Sequence, residues 1–327
     1  MELTPWPWQH GIWQQLLAIS RRDRLPHALM LSGPSGLGKE RLAQALIALK
    51  LCSRPGDTAC GECHACRMLR AGYHPDLLEI APREKGRQIG IDAVREINAF
   101  AAQTAQQGGY RLINLGPAEA MTTAAANALL KSLEEPGANT LFIVHSDLPS
   151  RTLPTIRSRC QQWRHPLPDE SVALDWLAGE LEDSEQAHFW LRVAGNRPLL
   201  ARQLAAPEAR KLRQQLREQF ESMMRGGDPV AEAARMDSRA LSEILWHGIS
   251  WLEDLIRLGT TAQSERVRNS DLMPLYRQAI KNGRVRDWFR LLDYAHEQRR
   301  LLSSGGNPNA QLALESWLIR WATLLRS

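Results

Sequence analysis

Residues 33–39 read Gly33-Pro34-Ser35-Gly36-Leu37-Gly38-Lys39, which is the G-x-x-x-x-G-K pattern of a phosphate-binding loop. A compact apolar run, Ala28-Leu29-Met30-Leu31, leads directly into the loop, and the sequence predicts a helix over 39–51 after it. Strand, glycine loop and helix in this order are the context that such a loop needs. The pattern therefore predicts an α/β domain in which backbone N–H groups and a helix N-terminus favour an anion.

The residue after the loop lysine departs from the pattern of a working ATPase. An active loop has Ser or Thr there, because the hydroxyl helps to hold the Mg²⁺ that bridges the β- and γ-phosphates. Here the position is Glu40, which is bulkier and places a negative charge beside the triphosphate. The sequence therefore predicts that the anion cradle survives while the catalytic metal site is lost.

A second metal-handling element is also missing. An ATPase of this architecture ends a later strand with an Asp-Glu pair, in which Asp binds Mg²⁺ through water and Glu orients the attacking water. The predicted strand over 112–115 is followed instead by Gly116-Pro117-Ala118-Glu119, so no acid lies at the strand end. Two losses in one functional unit predict a protein that is built like an ATPase but does not hydrolyse ATP.

Short apolar strands and helical segments alternate up to about residue 165. Strands are predicted over 28–31, 77–80, 112–115 and 141–144, and further helices over 91–106 and 121–135. Alternation of this kind indicates a largely parallel sheet that is covered by helices on both faces.

Beyond about residue 166 the strand signal is absent, and apolar residues recur at three- and four-residue spacing. Helices are predicted over 169–182, 184–194, 207–225, 238–258, 284–302 and 309–325. We therefore expect three domains, which are the α/β core over 1–165, a small helical lid over 166–207 and a larger all-α domain over 208–327.

The composition is that of an ordinary globular chain with a basic balance. Of the 327 residues, 43% are hydrophobic and 24% are charged, and the formal net charge is +5. No apolar run is long enough for a membrane span, and the N-terminus lacks the order of a secretory signal, so we expect a cytoplasmic protein. Basic residues are dense from Arg266 to Arg290, and this segment is a candidate for contact with phosphate or an acidic partner.

Four of the five cysteines lie in one short segment, at Cys52, Cys60, Cys63 and Cys66. Four thiolates suit a tetrahedral structural Zn²⁺, and the tight C-x-x-C spacing lets one turn supply two ligands. Two disulfides are the alternative, but a chain without a secretion signal belongs in a reducing compartment. His64 could replace one cysteine, and His74 is a weaker candidate. We predict a closed Cys₄ zinc site with no open position for water.

Two further motifs identify a family. Residues 126–136 read Ala-Asn-Ala-Leu-Leu-Lys-Ser-Leu-Glu-Glu-Pro, and Ser158-Arg159-Cys160 follows the strand over 141–144. Together with the cysteine insert, these motifs resemble the bacterial DNA polymerase III clamp loader, in the clamp-loader branch of the AAA+ proteins. The altered loop and the missing acidic pair narrow the resemblance to the delta-prime family, as opposed to the gamma/tau motor family.

The resemblance implies an AAA+ core, a lid and a helical collar that assembles a ring with gamma/tau and delta subunits. In such a ring gamma/tau subunits hydrolyse ATP, delta opens the sliding clamp and delta-prime is a comparatively rigid stator. The motif match makes Arg159 an arginine finger, which would stabilise charge on the transferring γ-phosphate in a neighbour's ATP site. Primer–template DNA would be contacted through its phosphates, independently of its sequence.

The nucleotide site itself leaves several interpretations open. Gly33, Gly36, Gly38 and Lys39 are retained, so nucleotide binding without turnover stays an alternative. Ser146 matches the polar sensor position of the family, whereas Arg197 lies two residues after a glycine instead of the three that separate the family's lid arginine from its glycine.

Two other functions compete with the non-catalytic subunit. One is an active ATPase of the same family, in which Glu119 or Asp147 handles the metal. The other is a zinc-dependent DNA-binding module, although no basic recognition helix adjoins the cysteines.

Overall fold

A computed structural model describes residues 3–84, 87–107, 109–261, 263–303 and 309–326. The chain divides into two compact units, of which the first comprises Met1–Gly179 with Asn196–Leu200. The second unit comprises Glu180–Gly195 with Ala201–Ser327. None of the described helices is both long and apolar enough to cross a membrane. The finer division into three domains stays a prediction.

The first unit contains a five-stranded, fully parallel sheet. Its strands are β1 (Ala28–Ser32), β2 (Leu77–Ile80), β3 (Arg111–Leu115), β4 (Thr140–Ser146) and β5 (Gln161–Arg164). They are arranged in the order β2-β3-β4-β1-β5, and every residue of β1, β3 and β4 is buried. Continuous apolar runs are typical of parallel strands with both faces covered, and the four predicted strands are confirmed.

Fifteen α-helices lie in the described ranges. They are α1 (His10–Arg21), α2 (Lys39–Leu51), α3 (His64–Arg70), α4 (Ile91–Ala101), α5 (Thr123–Glu134), α6 (Pro154–Arg159), α7 (Glu170–Glu180), α8 (Ala187–Val193), α9 (Pro198–Leu204), α10 (Pro207–Met224), α11 (Pro229–Ala234), α12 (Leu241–Thr261), α13 (Met273–Asn282), α14 (Val285–Ser303) and α15 (Ala310–Arg326). The predicted α/β core, cysteine insert and all-helical C-terminal region are therefore confirmed as the fold.

The two faces of the sheet have separate cores, because successive side chains of a strand point to opposite faces. Leu29 and Leu31 of β1 pack in one core with α1 and α2. Ala28 and Met30 pack in the other with α4 and α5. This arrangement fixes α2 and the loop before it against the sheet at the carboxyl end of β1.

The helix predicted over 91–106 ends earlier, at Ala101. At the predicted end of the helix, the buried carboxylate of Asp76 accepts the backbone N–H groups of Gln106 and Gln107 at 2.7 and 2.9 Å. These two amides are thereby withdrawn from any helical hydrogen bonding. Arg111 lies 3.6 Å from the same carboxylate and is equally buried.

The second unit is helical and has its own core. Its largest buried members are aromatic, and they include Phe220, Trp251, Trp288, Trp317 and Trp321. At Gly248, in the middle of α12, an added Cβ would overlap the indole of Trp317. A glycine is therefore needed there for the Trp317 ring to lie directly against the α12 backbone.

Candidate functional site

The glycine loop between β1 and α2 has the backbone geometry that its sequence predicts. Gly33, Gly36 and Gly38 have φ values of 149°, 84° and 83°, a region that L side chains rarely adopt. Gly38 is also the N-cap of α2, so the helix begins directly at the loop lysine. The three glycines are thus required by the path of the chain itself.

The side chain of Lys39 is buried and turns back onto its own loop. Its ammonium group donates to the carbonyl oxygens of Gly33 and Pro34 at 2.7 and 2.8 Å, and forms an ion pair of 2.5 Å with Asp147. The neighbouring His145 stays neutral, because burial and then the Lys39 charge lower its pKa to about 4. The positive charge that a phosphate would need is therefore already paired with a carboxylate of the same chain.

The N-terminal segment covers the second half of the loop. Trp8 Nε1 donates to the carbonyl of Leu37 at 2.9 Å, and Gln9 Nε2 donates to the carbonyl of Gly38 at 2.7 Å. The Trp6 ring lies where a side chain of residue 38 would project. Trp6 also stacks on Trp8, with ring centroids 5.2 Å apart and planes 4° apart.

The first half of the loop is covered by residues from the start of α9. Leu199 donates its backbone N–H to the carbonyl of Gly36 at 3.2 Å, and a Cβ on Gly36 would come within 2.8 Å of the Leu200 Cβ. The half-buried Arg197, which is the candidate lid sensor, precedes this segment. Trp176 of α7 completes the enclosure with its ring centroid 5.0 Å from that of Trp8.

The two positions that handle the metal in an active ATPase are occupied here by Glu40 and Gly116. Glu40 is exposed in the first turn of α2, where its charge is favourable to the helix N-terminus and unfavourable to a bound anion. Gly116, at the end of β3, lies against His145, and a Cβ there would come within 2.9 Å of the histidine Cβ. An aspartate at position 116 therefore requires His145 to move.

Glu119 and Asp147, the alternative metal ligands of an active ATPase, both have other partners in the structure. Glu119 Oε1 accepts the backbone N–H groups of Asp147 and Leu148, each at 2.9 Å, while its Oε2 is buried without a hydrogen bond. The carboxylate thus holds the chain after β4. Ser146, the candidate sensor, has its hydroxyl 3.3 Å from that of Thr152.

Arg159 lies outside this enclosure, at the last residue of α6. Its Nε donates to Glu134 Oε1 at 2.7 Å, and its Nη2 reaches the same oxygen. Its Nη1 donates to the carbonyl of Thr155 at 2.9 Å. About a third of the side chain stays exposed, since its relative accessibility is 30%.

The residues on either side of Arg159 are structural. The Ser158 hydroxyl donates to the Thr155 carbonyl at 3.0 Å. Burial raises the pKa of the Cys160 thiol to about 12, so this sulfur remains protonated and is no nucleophile. The motif thus places a partly exposed guanidinium at the end of α6, directly before the buried Cys160.

The four clustered cysteines form a compact sulfur centre. All four Sγ atoms lie within 4.8 Å of one another, with 3.9 Å between Cys52 and Cys63 and 4.0 Å between Cys60 and Cys66. Ligands at about 2.3 Å in a tetrahedron are about 3.8 Å apart, so the centre could hold a metal ion. All five cysteines are free in this structure, and the sulfur separations of 3.9 and 4.0 Å are well beyond the about 2.05 Å of a disulfide bond.

Backbone N–H groups point at the sulfurs. Cys52 Sγ accepts from Cys60 N at 3.3 Å and from Arg54 N at 3.4 Å, and Cys60 Sγ accepts from Cys63 N at 3.4 Å. The N–H groups of Glu62 and Cys63 lower the pKa of Cys60, which favours its thiolate. His64 and His74 do not belong to the group of four.

Comparison with known proteins identifies the family. Residues 8–167 match the family described as DNA polymerase III, delta subunit, and residues 207–323 match its C-terminal counterpart. The chain is 38% identical to DNA polymerase III subunit delta' of Pseudomonas aeruginosa over 98% of both chains. The chain belongs to the DNA polymerase III subunit delta' family. It is also 31% identical to the Escherichia coli delta' subunit, over 96% of this chain and 94% of that protein.

Membership confirms the resemblance to the delta-prime family. Several contacts of the site were not foreseen. The enclosure by Trp6, Trp8 and Trp176, and the pairing of Arg159 with Glu134, join residues far apart in sequence. The only sequence signal for the tryptophan enclosure was the tryptophan-rich N-terminus. The only signal for the Arg159–Glu134 pair was the acidic end of α5.

Proposed function

We propose that the chain is the non-catalytic stator of the DNA polymerase III clamp loader. In this role it helps to load the sliding clamp onto primed DNA while neighbouring subunits hydrolyse ATP. The observation that carries the proposal is the state of Lys39, whose ammonium is compensated by Asp147 and by two loop carbonyls. A triphosphate has to break this ion pair, with Glu40 in place of the usual hydroxyl and no acid at position 116.

The vestigial loop, with Gly33, Gly36, Gly38 and Lys39, keeps a structural purpose in this proposal. Its carbonyl oxygens accept hydrogen bonds from Trp8, Gln9 and Leu199, and they tie the N-terminal segment and the start of α9 to the sheet. A loop that is filled by the protein's own groups suits a rigid subunit. ATP binding is then weak or absent, and turnover is absent.

In this proposal Arg159 is the residue that takes part in ATP hydrolysis, and it acts in trans. Its guanidinium would enter the ATP site of a neighbouring gamma/tau subunit and stabilise the charge that develops on the transferred γ-phosphate. Such fingers contribute about 10³–10⁵-fold in rate. Its exposure at a helix end and its position outside the enclosed loop support this role.

The cysteine centre would hold a structural Zn²⁺ through Cys52, Cys60, Cys63 and Cys66. Four thiolates complete the tetrahedral shell, so the ion has no open position and supplies stability, not chemistry. The sulfur separations and the N–H···S hydrogen bonds fit this donor set.

The remaining assignments follow from the delta' family. We propose that the collar, 208–327, joins a hetero-oligomeric ring with gamma/tau and delta subunits in the cytoplasm. Contact with the sliding clamp is then indirect. Primer–template DNA is bound through its phosphates, so this binding weakens with salt and is insensitive to base sequence.

An active motor subunit is the second candidate, because Lys39 and the loop glycines are retained. It requires Glu119 or Asp147 to bind metal. Asp147 is paired with Lys39, and one oxygen of Glu119 accepts two backbone N–H groups. A zinc-dependent DNA-binding module is weaker still, since α3 beside the cysteines has only seven residues.

The test is Mg-ATP binding and hydrolysis by the purified chain alone, with Lys39→Ala as the control. We expect no turnover above background for either protein, because no group holds the catalytic metal. Turnover that Lys39→Ala abolishes would make the chain a motor and contradict the proposal. Turnover that survives Lys39→Ala would indicate a contaminating ATPase, and the measurement is then repeated on chain purified to the background rate.

A further inference from the structure

The Arg159 side chain is held by two helices at once. Glu134, the last residue of α5, accepts both Nε and Nη2 on a single carboxylate oxygen. Thr155, in the same turn of α6 as Arg159, accepts Nη1 through its carbonyl. All three nitrogens of the guanidinium are therefore engaged before any partner is present.

These contacts leave one particular edge of the guanidinium available. The group is planar and carries five N–H donors in a fixed fork. The edge formed by Nε and Nη2 faces Glu134, so the two donors that remain belong to Nη1 and Nη2 at the far end of the side chain. This terminal edge is the one that matches two oxygens of a phosphoryl group.

Both residues of the pair are mounted on rigid elements. Leu133 precedes Glu134, and it packs in the same buried core as Ile156 of α6 and Cys160. The two carriers, α5 and α6, pack against each other. The backbone positions of the pair are therefore fixed relative to each other, while the side chains of Arg159 and Glu134 stay partly exposed.

We propose that Glu134 is a positioning residue for Arg159. This inference rests on the proposed function of Arg159 as a finger in trans. Glu134 takes the side edge of the guanidinium, fixes its plane and leaves the terminal edge to point away from α5. The loss of Glu134 lets the side chain adopt many rotamers, so the finger reaches the phosphoryl group in the productive orientation less often.

The experiment uses the complete clamp-loader ring, reconstituted with its gamma/tau and delta subunits on primed DNA. Steady-state ATP turnover is measured for wild type, Arg159→Ala, Glu134→Ala and the double variant. Glu135→Gln is the matched control, because Glu135 is exposed, adjacent to Glu134 and also acidic. Ring assembly by gel filtration and the melting temperature of each chain show that the variants are folded.

We expect Glu134→Ala to lower kcat about 10-fold with little change in KM for ATP, since orientation acts on the transition state. Glu134→Gln keeps one acceptor oxygen and should restore part of the rate. Glu135→Gln should leave turnover unchanged. On the Arg159→Ala background, Glu134→Ala should have no further effect, because it acts only through that arginine.

The outcomes separate this inference from the proposed function. Unchanged ATP turnover of the Arg159→Ala ring would show that Arg159 is not an arginine finger. Glu134 would then have no finger to position. A slow Arg159→Ala ring together with a normal Glu134→Ala ring would retain the finger and overturn the role of Glu134. Faster turnover of Glu134→Ala would also overturn it, because the pair would then restrain the arginine instead of aiming it.

Discussion

At Gly38 of the glycine loop, the backbone conformation and the side chains packed against the loop both require a glycine. Gly38 has a left-handed backbone, and the space beside its Cα is filled by the Trp6 ring and by Gln9 Nε2, which lies 3.2 Å from an added Cβ. An aromatic side chain of the same chain therefore confines position 38.

We predict that Gly38→Ala destabilises the protein by about 3 kcal/mol. About 1–2 kcal/mol comes from the left-handed backbone, and the rest from moving a Trp6 ring that is stacked on Trp8. Gly72→Ala is the matched control, since Gly72 has a φ of 80° but nothing within 4 Å of an added Cβ. Urea unfolding measures both. Equal losses for the two variants would show that Trp6 does not confine position 38.

At the level of elements, the cysteine centre ties the end of α2 to the start of α3. Cys52 is the C-cap of α2 and Cys63 the N-cap of α3. The seven residues of α3 are too few for a stable isolated helix, so its stability depends on packing and on the sulfur centre. A metal ion there acts as a cross-link between two helices and the loop that joins them.

We predict that the purified chain contains about one zinc ion and that Cys63→Ser loses it. Serine cannot replace a thiolate ligand, so chelation of the wild type and the Cys63→Ser substitution should lower the melting temperature similarly. Cys160→Ser is the matched control, because Cys160 is a buried cysteine outside the centre. Metal analysis and thermal unfolding decide the matter. A wild type that keeps its stability after the metal is removed contradicts a structural role.

How much could be predicted from the sequence differs between elements. The four apolar strands were predicted because buried parallel strands are continuous apolar runs. Strand β5 was missed, since Gln161-Gln162-Trp163-Arg164 is an edge strand with exposed polar side chains. Helices α1, α3, α6, α9, α11 and α13 were also missed, and all of these except α1 have ten residues or fewer.

In the candidate site, too, some features were predicted from the sequence and others were not. The glycine loop, the cysteine cluster and Arg159 are local motifs, and each was visible in the sequence. The partners that define their state are distant in the chain, as in the pairs Lys39–Asp147 and Arg159–Glu134. Only the order of strands and helices in space brings such residues together, and spacing along one sequence carries no record of it.

For the whole molecule, each compact unit buries a histidine that cannot easily be protonated. In the first unit it is His145, next to Lys39. In the second it is His247 on α12, whose Nδ1 is buried without a hydrogen bond. Burial, and then the charge of Arg213, lower the pKa of His247 to about 3. Both units therefore depend on a neutral imidazole in their interior.

The need to keep these two imidazoles neutral determines how the free energy of unfolding changes with pH. The folded pKa values lie below the unfolded value of 6.5, so the unfolded state binds more protons between about pH 6.5 and 4. Stability consequently rises with pH in this range and is lost as the pH falls. At pH 4 each histidine costs about 3 kcal/mol relative to neutral pH.

We predict that the unfolding free energy of wild type falls steeply from pH 7 to pH 4 and that His247→Gln falls by about 3 kcal/mol less. His10→Gln is the control, because His10 is exposed. Urea unfolding at a series of pH values gives the slopes, and only the difference between variants counts, because other groups titrate in the same range. If His247→Gln and His10→Gln follow the wild-type slope together, folding does not lower the pKa of His247, and the buried, unpaired environment of its imidazole is contradicted.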